Sequence, residues 1–235
     1  MNIGIIVAMD KELQLLLPLL TDSRTTSINE IEFHLGDVAG NSVVVMKSGI
    51  GKVNAALAAS EMIKQFAPDL VINTGVAGGT GSAAQVLDVV VGDRVAYHDV
   101  WCGPGTIMGQ ATDAPQFFTP DSALLAAQAL IPGEHLHQGL IASGDIFVSR
   151  PDDLSRIIEL YPDVMAVDME SAAIAHTCHK LHTPFISIRV VSDTPGHEDD
   201  NAAQYDNFWE AAPRQTFDIL SHLLRELGTQ TTDEI

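Results

Sequence analysis

The sequence predicts an α/β fold: one domain built as a three-layer αβα sandwich around a central mixed β-sheet. Apolar runs of strand length alternate with longer stretches of helical period, the order that lays helices on both faces of a mostly parallel or mixed sheet. No segment repeats at a fixed period and none is of low complexity, so residues 1–235 read as a single domain. Hydrophobic residues make up 46% of the chain and charged ones 18%, which supports a full core and argues against disorder.

Each element has a local signal. Ile3–Ala8 is an unbroken apolar run of strand length, and Lys11–Leu20 after it has helical period. Ile31–Leu35 and Ser42–Lys47 flank Gly40-Asn41 and read as a hairpin. Val53–Phe66 is helical, Leu70–Asn73 a buried strand, and Val89–Tyr97 and Leu136–Ala142 two more. Met165–Val167 leads into a helix over Glu170–Leu181. Pro184 opens the strand Phe185–Val191, and Asn207–Leu227 reads as one long closing helix.

Charge and composition exclude several functions. With 12 Lys and Arg against 31 Asp and Glu, the net charge of −19 repels phosphate backbones, so no nucleic-acid partner is expected. No stretch has the roughly 18 apolar residues of a membrane span. Met1-Asn2-Ile3-Gly4 lacks a basic n-region, so a cytoplasmic protein is expected. Cys102 and Cys178 offer neither a disulfide framework nor a zinc quartet, and both read as buried structural thiols. His176, His179 and His182, spaced by three, drift around a helix axis and cannot all face one ion; they read as surface or helix-end residues. His197-Glu198-Asp199-Asp200 reads as a solvated loop.

In an open α/β sheet, ligands gather at the carboxyl ends of strands, and the unusual residues fall there. Met9-Asp10-Lys11-Glu12 follows the first strand, Ser48-Gly49-Ile50-Gly51-Lys52 the hairpin, and Thr74-Gly75-Val76-Ala77-Gly78-Gly79 the strand ending at Asn73. Ser143-Gly144-Asp145-Ile146-Phe147, Asp168-Met169-Glu170 and Ser192-Asp193 complete the set. Any one glycine cluster is as readily a tight turn as a site. None fits a dinucleotide fingerprint or a phosphate-binding loop. Glu12 and Glu170 are each either simple dipole partners in the first turn of a helix or site acids. Arg189 interrupts a near-continuous apolar strand, where an unpaired guanidinium is very costly. It should meet a carboxylate, and Glu12 or Glu170 is the economical choice.

Taken together and in order, Ala8-Met9-x-x-Glu12, Ser48-Gly49-Ile50-Gly51-Lys52-Val53, Asn73-Thr74-Gly75-x-Ala77-Gly78-Gly79, Ser143-Gly144-Asp145-x-Phe147, Asp168-Met169-Glu170 and Arg189-x-x-Ser192-Asp193 resemble the 5'-methylthioadenosine/S-adenosylhomocysteine nucleosidases of the purine nucleoside phosphorylase superfamily. The resemblance runs from Met1 to the closing helix and implies a nucleoside phosphorylase-like fold. It implies hydrolysis of the N-glycosidic bond, releasing adenine and a 5'-thioribose for methionine salvage, with a nucleoside and water as the small-molecule partners. No metal or organic cofactor is implied.

The resemblance also assigns roles. Glu12 would activate the attacking water, with Arg189 helping to hold the water and the carboxylates. Glu170 and the Met169 backbone would bind the ribose hydroxyls. Asp193, beside Ser192, would act as the acid at N7 of adenine, its pKa raised by burial and neighbouring carboxylates. Phe147 would stack on the base and the Val148 backbone would read its edge. Met9, Ile50 and Tyr205 would line the 5' pocket. The chain departs from the family at Val76, where many relatives have serine, at Asp168, where glutamate is usual, and over Val100–Pro115. In the family that last loop reaches a neighbouring subunit's 5' pocket. Here its Trp101, Ile107 and Met108 form an apolar tract costly to leave in water, and a homodimer is expected. A phosphorylase of the same superfamily is the competing enzyme, but it needs room and positive charge for phosphate where this chain has Glu12. A non-catalytic nucleoside-binding protein would not need all three acids.

Overall fold

The computed structural model describes residues 1–81, 84–121, 135–195, 201–211 and 220–227. The chain opens with β1 (Asn2–Val7), whose Ile3, Ile5 and Val7 join the core on one side of the sheet while Ile6 joins the other. Helix α1 (Asp10–Leu16) is shorter than the expected Lys11–Leu20. Pro18 has no amide hydrogen for the helical ladder, and Leu17–Leu19 tighten into a 3₁₀ turn. β2 (Thr21–Ile28) then forms where the sequence announces no strand, because its residues are almost wholly exposed and carry no apolar alternation. It pairs with β3 (Ile31–Val38), which pairs in turn with β4 (Asn41–Lys47). The β3–β4 hairpin is expected, but its turn is Ala39-Gly40, one residue before the expected Gly40-Asn41, and Asn41 already belongs to β4. Ala39 and Gly40 both have positive φ, at 51° and 83°, as a two-residue turn of type I′ requires.

Helix α2 (Lys52–Phe66) leads to β5, and β5 corrects the expected boundary. It does not stop at Asn73 but runs Leu70–Gly79, so the glycine run lies in extended strand and not in a loop. β6 (Val89–Tyr97) and β7 (Leu136–Ser143) follow. Helix α3 (Pro151–Leu160) was not expected, although Pro151 in its first turn, Asp152 and Asp153 beside it, and buried Leu154 and Ile157 are ordinary helix signals. β8 (Val164–Asp168), α4 (Ser171–Leu181), β9 (Phe185–Asp193) and α5 (Asn201–Ala211) complete the labelled elements. Residues 220–227 are helical too. The expected single helix Asn207–Leu227 crosses residues 212–219, which lie outside the described residues, as does His197–Asp200.

Among the described residues the sheet has nine strands in the order β2-β3-β4-β1-β5-β8-β7-β6-β9. It is mixed. β1 runs parallel to β4 and β5, whereas β6 and β9 are antiparallel. Because β9 also pairs with β5, the strands β5, β8, β7, β6 and β9 close into a ring. Helices α2 and α4 cover one face through Ala55, Ala58, Ala59 and Met62 against Ala172, Ala175 and Cys178. Leu13 and Leu16 of α1, Phe208 of α5 and the leucines of 220–227 cover the other. Cys178 is a buried core thiol whose pKa burial pushes up to about 12. Cys102 is exposed, contrary to expectation, on the loop after β6. Of the three histidines, His179 and His182 sit at the end of α4, but His176 is half-buried, stacked on Phe118 and hydrogen-bonded to Tyr97.

Candidate active site

Strand ends deliver the side chains, and those of β1, β4, β5, β7, β8 and β9 meet in one cleft. The first is β1. Its chain turns into α1 at Ala8 and Met9, and the Glu12 carboxylate folds back onto that turn. Glu12 Oε2 accepts the Ala8 and Met9 N–H groups, both at 2.9 Å, and Oε1 accepts the Val76 N–H at 3.1 Å. Glu12 is therefore more than a dipole partner in a first turn. It is 5% exposed and fixed by three backbone donors. Burial raises its pKa, while Arg189 and those three N–H groups pull the other way.

β5 contributes Gly75 opposite Arg189 of β9. A Cβ at Gly75 would overlap Glu12 Oε1 and stand 2.7 Å from Arg189 Nη1. Only glycine leaves room for the carboxylate and the guanidinium to converge there. Val76, next along, lines the cleft with Ala77 and Gly78.

Arg189 is fully buried and, as expected, pairs with Glu170, but a carboxylate that was not expected lies nearer. Its nearest carboxylate is Asp168, at 2.6 Å, with Glu170 at 3.5 Å. Its influence on Glu12 is electrostatic only. The guanidinium extends toward the end of β8, where Nη2 also donates to Asn73 Oδ1 at 2.6 Å and to Ser171 Oγ at 3.1 Å. Asp168 in turn accepts short hydrogen bonds from the hydroxyls of Ser143 and Ser171. Arg189 thus lies beneath the cleft and not on its surface. Asn73, Ser143, Asp168 and Ser171 form a polar floor that motif reading did not assign. Asn73 carried a usable signal, a polar residue ending the buried run Leu70-Val71-Ile72.

Glu170 sits on that floor as the N-cap of α4, one position before the helical first turn where it was expected. Its Oε1 accepts the Gly51 N–H at 3.0 Å, from the start of α2. Burial raises its pKa to about 7, Arg189 opposes the shift and Asp168 adds to it. Ser192 and Asp193 end β9, and Ser192 Oγ donates to Asp193 Oδ1 at 2.6 Å. Asp193 is 2% exposed, so its carboxyl faces the cleft and little bulk water.

The remaining wall is apolar. Phe147 meets Tyr205 of α5 edge-on, with ring centroids 6.1 Å apart, and the Tyr205 hydroxyl donates to Met9 Sδ at 3.1 Å. Ile50, Ile146, Val148, Val167 and Met169 fill in the lining. The cleft therefore brings together Glu12, Glu170 and Asp193 with Met9, Ile50, Val76, Phe147, Val148, Met169, Ser192 and Tyr205, with Arg189 below. Three carboxyl groups face an aromatic and aliphatic wall, an arrangement suited to proton transfer on a neutral, flat ligand carrying hydroxyls. Trp101 and Ile107 stand away from it on the loop after β6, 62% and 55% exposed. Among the described residues no helix is long and apolar enough to cross a membrane.

Known proteins resemble this chain in sequence and in fold. The family model of the phosphorylase superfamily matches residues 2–225. A 5'-methylthioadenosine/S-adenosylhomocysteine nucleosidase of Hydrogenovibrio crunogenus is 37% identical over 233 residues, covering 97% of this chain and 99% of its own. The S. pneumoniae nucleosidase of the same name, solved with the transition-state inhibitor MT-ImmA, superposes with a TM-score of 0.91 at 37% identity, over 97% of this chain and all of the other. That of Colwellia psychrerythraea, in complex with adenine, superposes at 0.90 with 38% identity, over 97% and 96%.

Proposed function

This chain belongs to the phosphorylase superfamily and, within it, to the 5'-methylthioadenosine/S-adenosylhomocysteine nucleosidases, and on that premise we propose how its cleft performs the hydrolysis. The enzyme cleaves the N-glycosidic bond of methylthioadenosine and adenosylhomocysteine with water, releasing adenine and the 5-thio-substituted ribose. Glu12 takes a proton from water as its oxygen bonds to the anomeric carbon. The bond to N9 breaks, and Asp193 protonates the purine at N7, so the leaving group departs neutral. Such a positioned acid is worth about 10²–10⁴ in rate. Glu170 accepts the ribose hydroxyls, and its nearby negative charge stabilises the oxocarbenium-like sugar. Phe147 stacks on the base, the Val148 backbone reads its edge, and Met9, Ile50 and Tyr205 take the 5' group.

The observation that carries this reading is Glu12 held by three backbone amides over Arg189, with Val76 beside it. A phosphorylase needs donors for a dianion at that position; here an acid occupies it and Val76 offers no hydroxyl. Adenine release from methylthioadenosine should proceed at full rate in phosphate-free buffer. A strict phosphate requirement with a ribose-1-phosphate-type product would assign the chain to the phosphorylases instead.

The working unit in this reading is a homodimer. Trp101 and Ile107, with Ile50, Val53 and Leu57 around the start of α2, expose apolar surface that a second copy would bury, its loop closing the 5' pocket. Sedimentation at micromolar concentration should give twice the chain mass; a fully active monomer would exclude it.

A further inference from the structure

Two neighbouring amides at the start of α2 are taken by carboxylates from different loops. Gly51 N–H donates to Glu170 Oε1 at 3.0 Å, and Lys52 N–H donates to Asp145 Oδ1 at 2.7 Å. Asp145 lies in the loop between β7 and α3, two residues before Phe147. It does not line the cleft, whereas the three residues after it do. Its own N–H donates to Asp99 Oδ2 at 2.8 Å, and that same oxygen accepts Lys52 Nζ at 2.7 Å. Gly51, at φ 95°, lets Asp145 come this close, since a Cβ there would stand 3.0 Å from Asp145 Oδ1.

We infer that Asp145 is a positioning residue for nucleoside binding. Through the Lys52 amide it fixes the loop carrying Phe147 and Val148 to the helix start that also holds Glu170. One rigid element then sets the distance from the base-stacking ring to the ribose-binding carboxylate. Asp99 and the Lys52 side chain clamp the same joint from outside. The ion pair itself is partly exposed, with Lys52 and Asp99 side chains at 23% and 26%. Ion pairs of that kind add little to global stability, so the consequence of breaking the joint belongs in binding. What the joint positions rests on the nucleosidase reading; that the joint exists does not.

The test compares Asp145→Ala and Asp145→Asn in the full chain. Asp145→Ala should raise the KM for methylthioadenosine by roughly 10-fold, the size of one lost charge-assisted hydrogen bond, with kcat within about threefold. Asp145→Asn, whose amide oxygen can still accept the Lys52 N–H, should recover most of the loss. Hydrogen exchange in Asp145→Ala should accelerate over residues 49–54 and 143–150 and stay unchanged elsewhere. An unchanged KM with unchanged exchange would overturn the inference. So would a parallel loss of kcat, Tm and protection across the whole fold, which marks a merely structural residue. If the unaltered protein released no adenine at all, the functional reading would fall, and the localised exchange response alone would decide whether the joint exists.

Discussion

The floor of the cleft and its mouth are built differently. On the floor, Arg189, Asp168, Asn73 and Ser171 have almost no exposed surface, and each is tied to at least two of the others by hydrogen bonds or ion pairs. At the mouth, Phe147 is 49% exposed and Ile50 51%. Groups that must stabilise charge are preorganised in a dry polar network, where electrostatic interactions are strong and cost no reorganisation. Groups that only recognise flat apolar surface wait for ligand, and in our reading for a second subunit, to cover them. The difference teaches where damage should register: floor substitutions should act on stability and turnover, mouth substitutions on affinity.

Arg189→Met gives the largest expected effect. It strips the buried Asp168 and Glu170 of their shared cation, and breaking a buried pair from one side costs about 3–5 kcal/mol. Denaturant midpoints should fall accordingly, and a loss below about 1 kcal/mol would mean that the floor is not the closed network described here. Asp193→Asn comes next. Turnover should drop by about 10²-fold or more with binding retained. A nitrophenyl riboside, whose leaving group needs no proton, should largely rescue Asp193→Asn but not Glu12→Gln. Equal losses in both variants on that substrate would remove Asp193 from the acid role.

A smaller effect lies in pH. Burial raises the Glu170 pKa from its ordinary 4.5 to about 7. Between those values the folded state binds more protons than the unfolded one. The stabilisation from this group is thus complete below about pH 4.5 and is lost as pH rises through about 7. Tm measured across that window should decline with a slope that Glu170→Gln flattens. An identical slope in the variant would place the titration elsewhere. The smallest effect belongs to the mouth. Phe147→Leu keeps apolar bulk and loses the stacking face, so KM should rise by about 2–10-fold, matching the roughly 0.5–1.5 kcal/mol of an aromatic pair. A collapse of kcat instead would erase the distinction between floor and mouth.

The same contrast governs how much could be read from the sequence. Cleft residues were legible because they break local rules, as Glu12 does just beyond an apolar strand and Arg189 does inside one. Their partners were not. Asp168, and not Glu12 or Glu170, takes the short ion pair, because which carboxylate reaches Arg189 depends on how β8 and β9 are brought together in the sheet. No spacing along the chain encodes that. Strand β2 was silent for another reason: as an edge strand exposed on both faces it has no apolar period, and its Thr-rich composition is only a weak preference. The end of β5 was misplaced because glycines ordinarily break strands, whereas Gly75, Gly78 and Gly79 are there for close approach to Glu12, Pro195 and Val191. Helix α3 had legible signals in Pro151 and the Leu154/Ile157 spacing.

The closure of β5 onto β9 has a consequence in time. β5 is complete by residue 79, yet the strand it pairs with across Gly75 and Arg189 lies more than a hundred residues later. A chain emerging in order from the ribosome carries Glu12 and the glycine run long before it has a guanidinium to set beneath them. Contacts this distant in sequence are slow to form, since loop-closure entropy precedes any reward. The floor cannot close until β9 is present, and a chain that ends before β9 holds Glu12, Asp168 and Glu170 with neither the Arg189 cation nor Asp193.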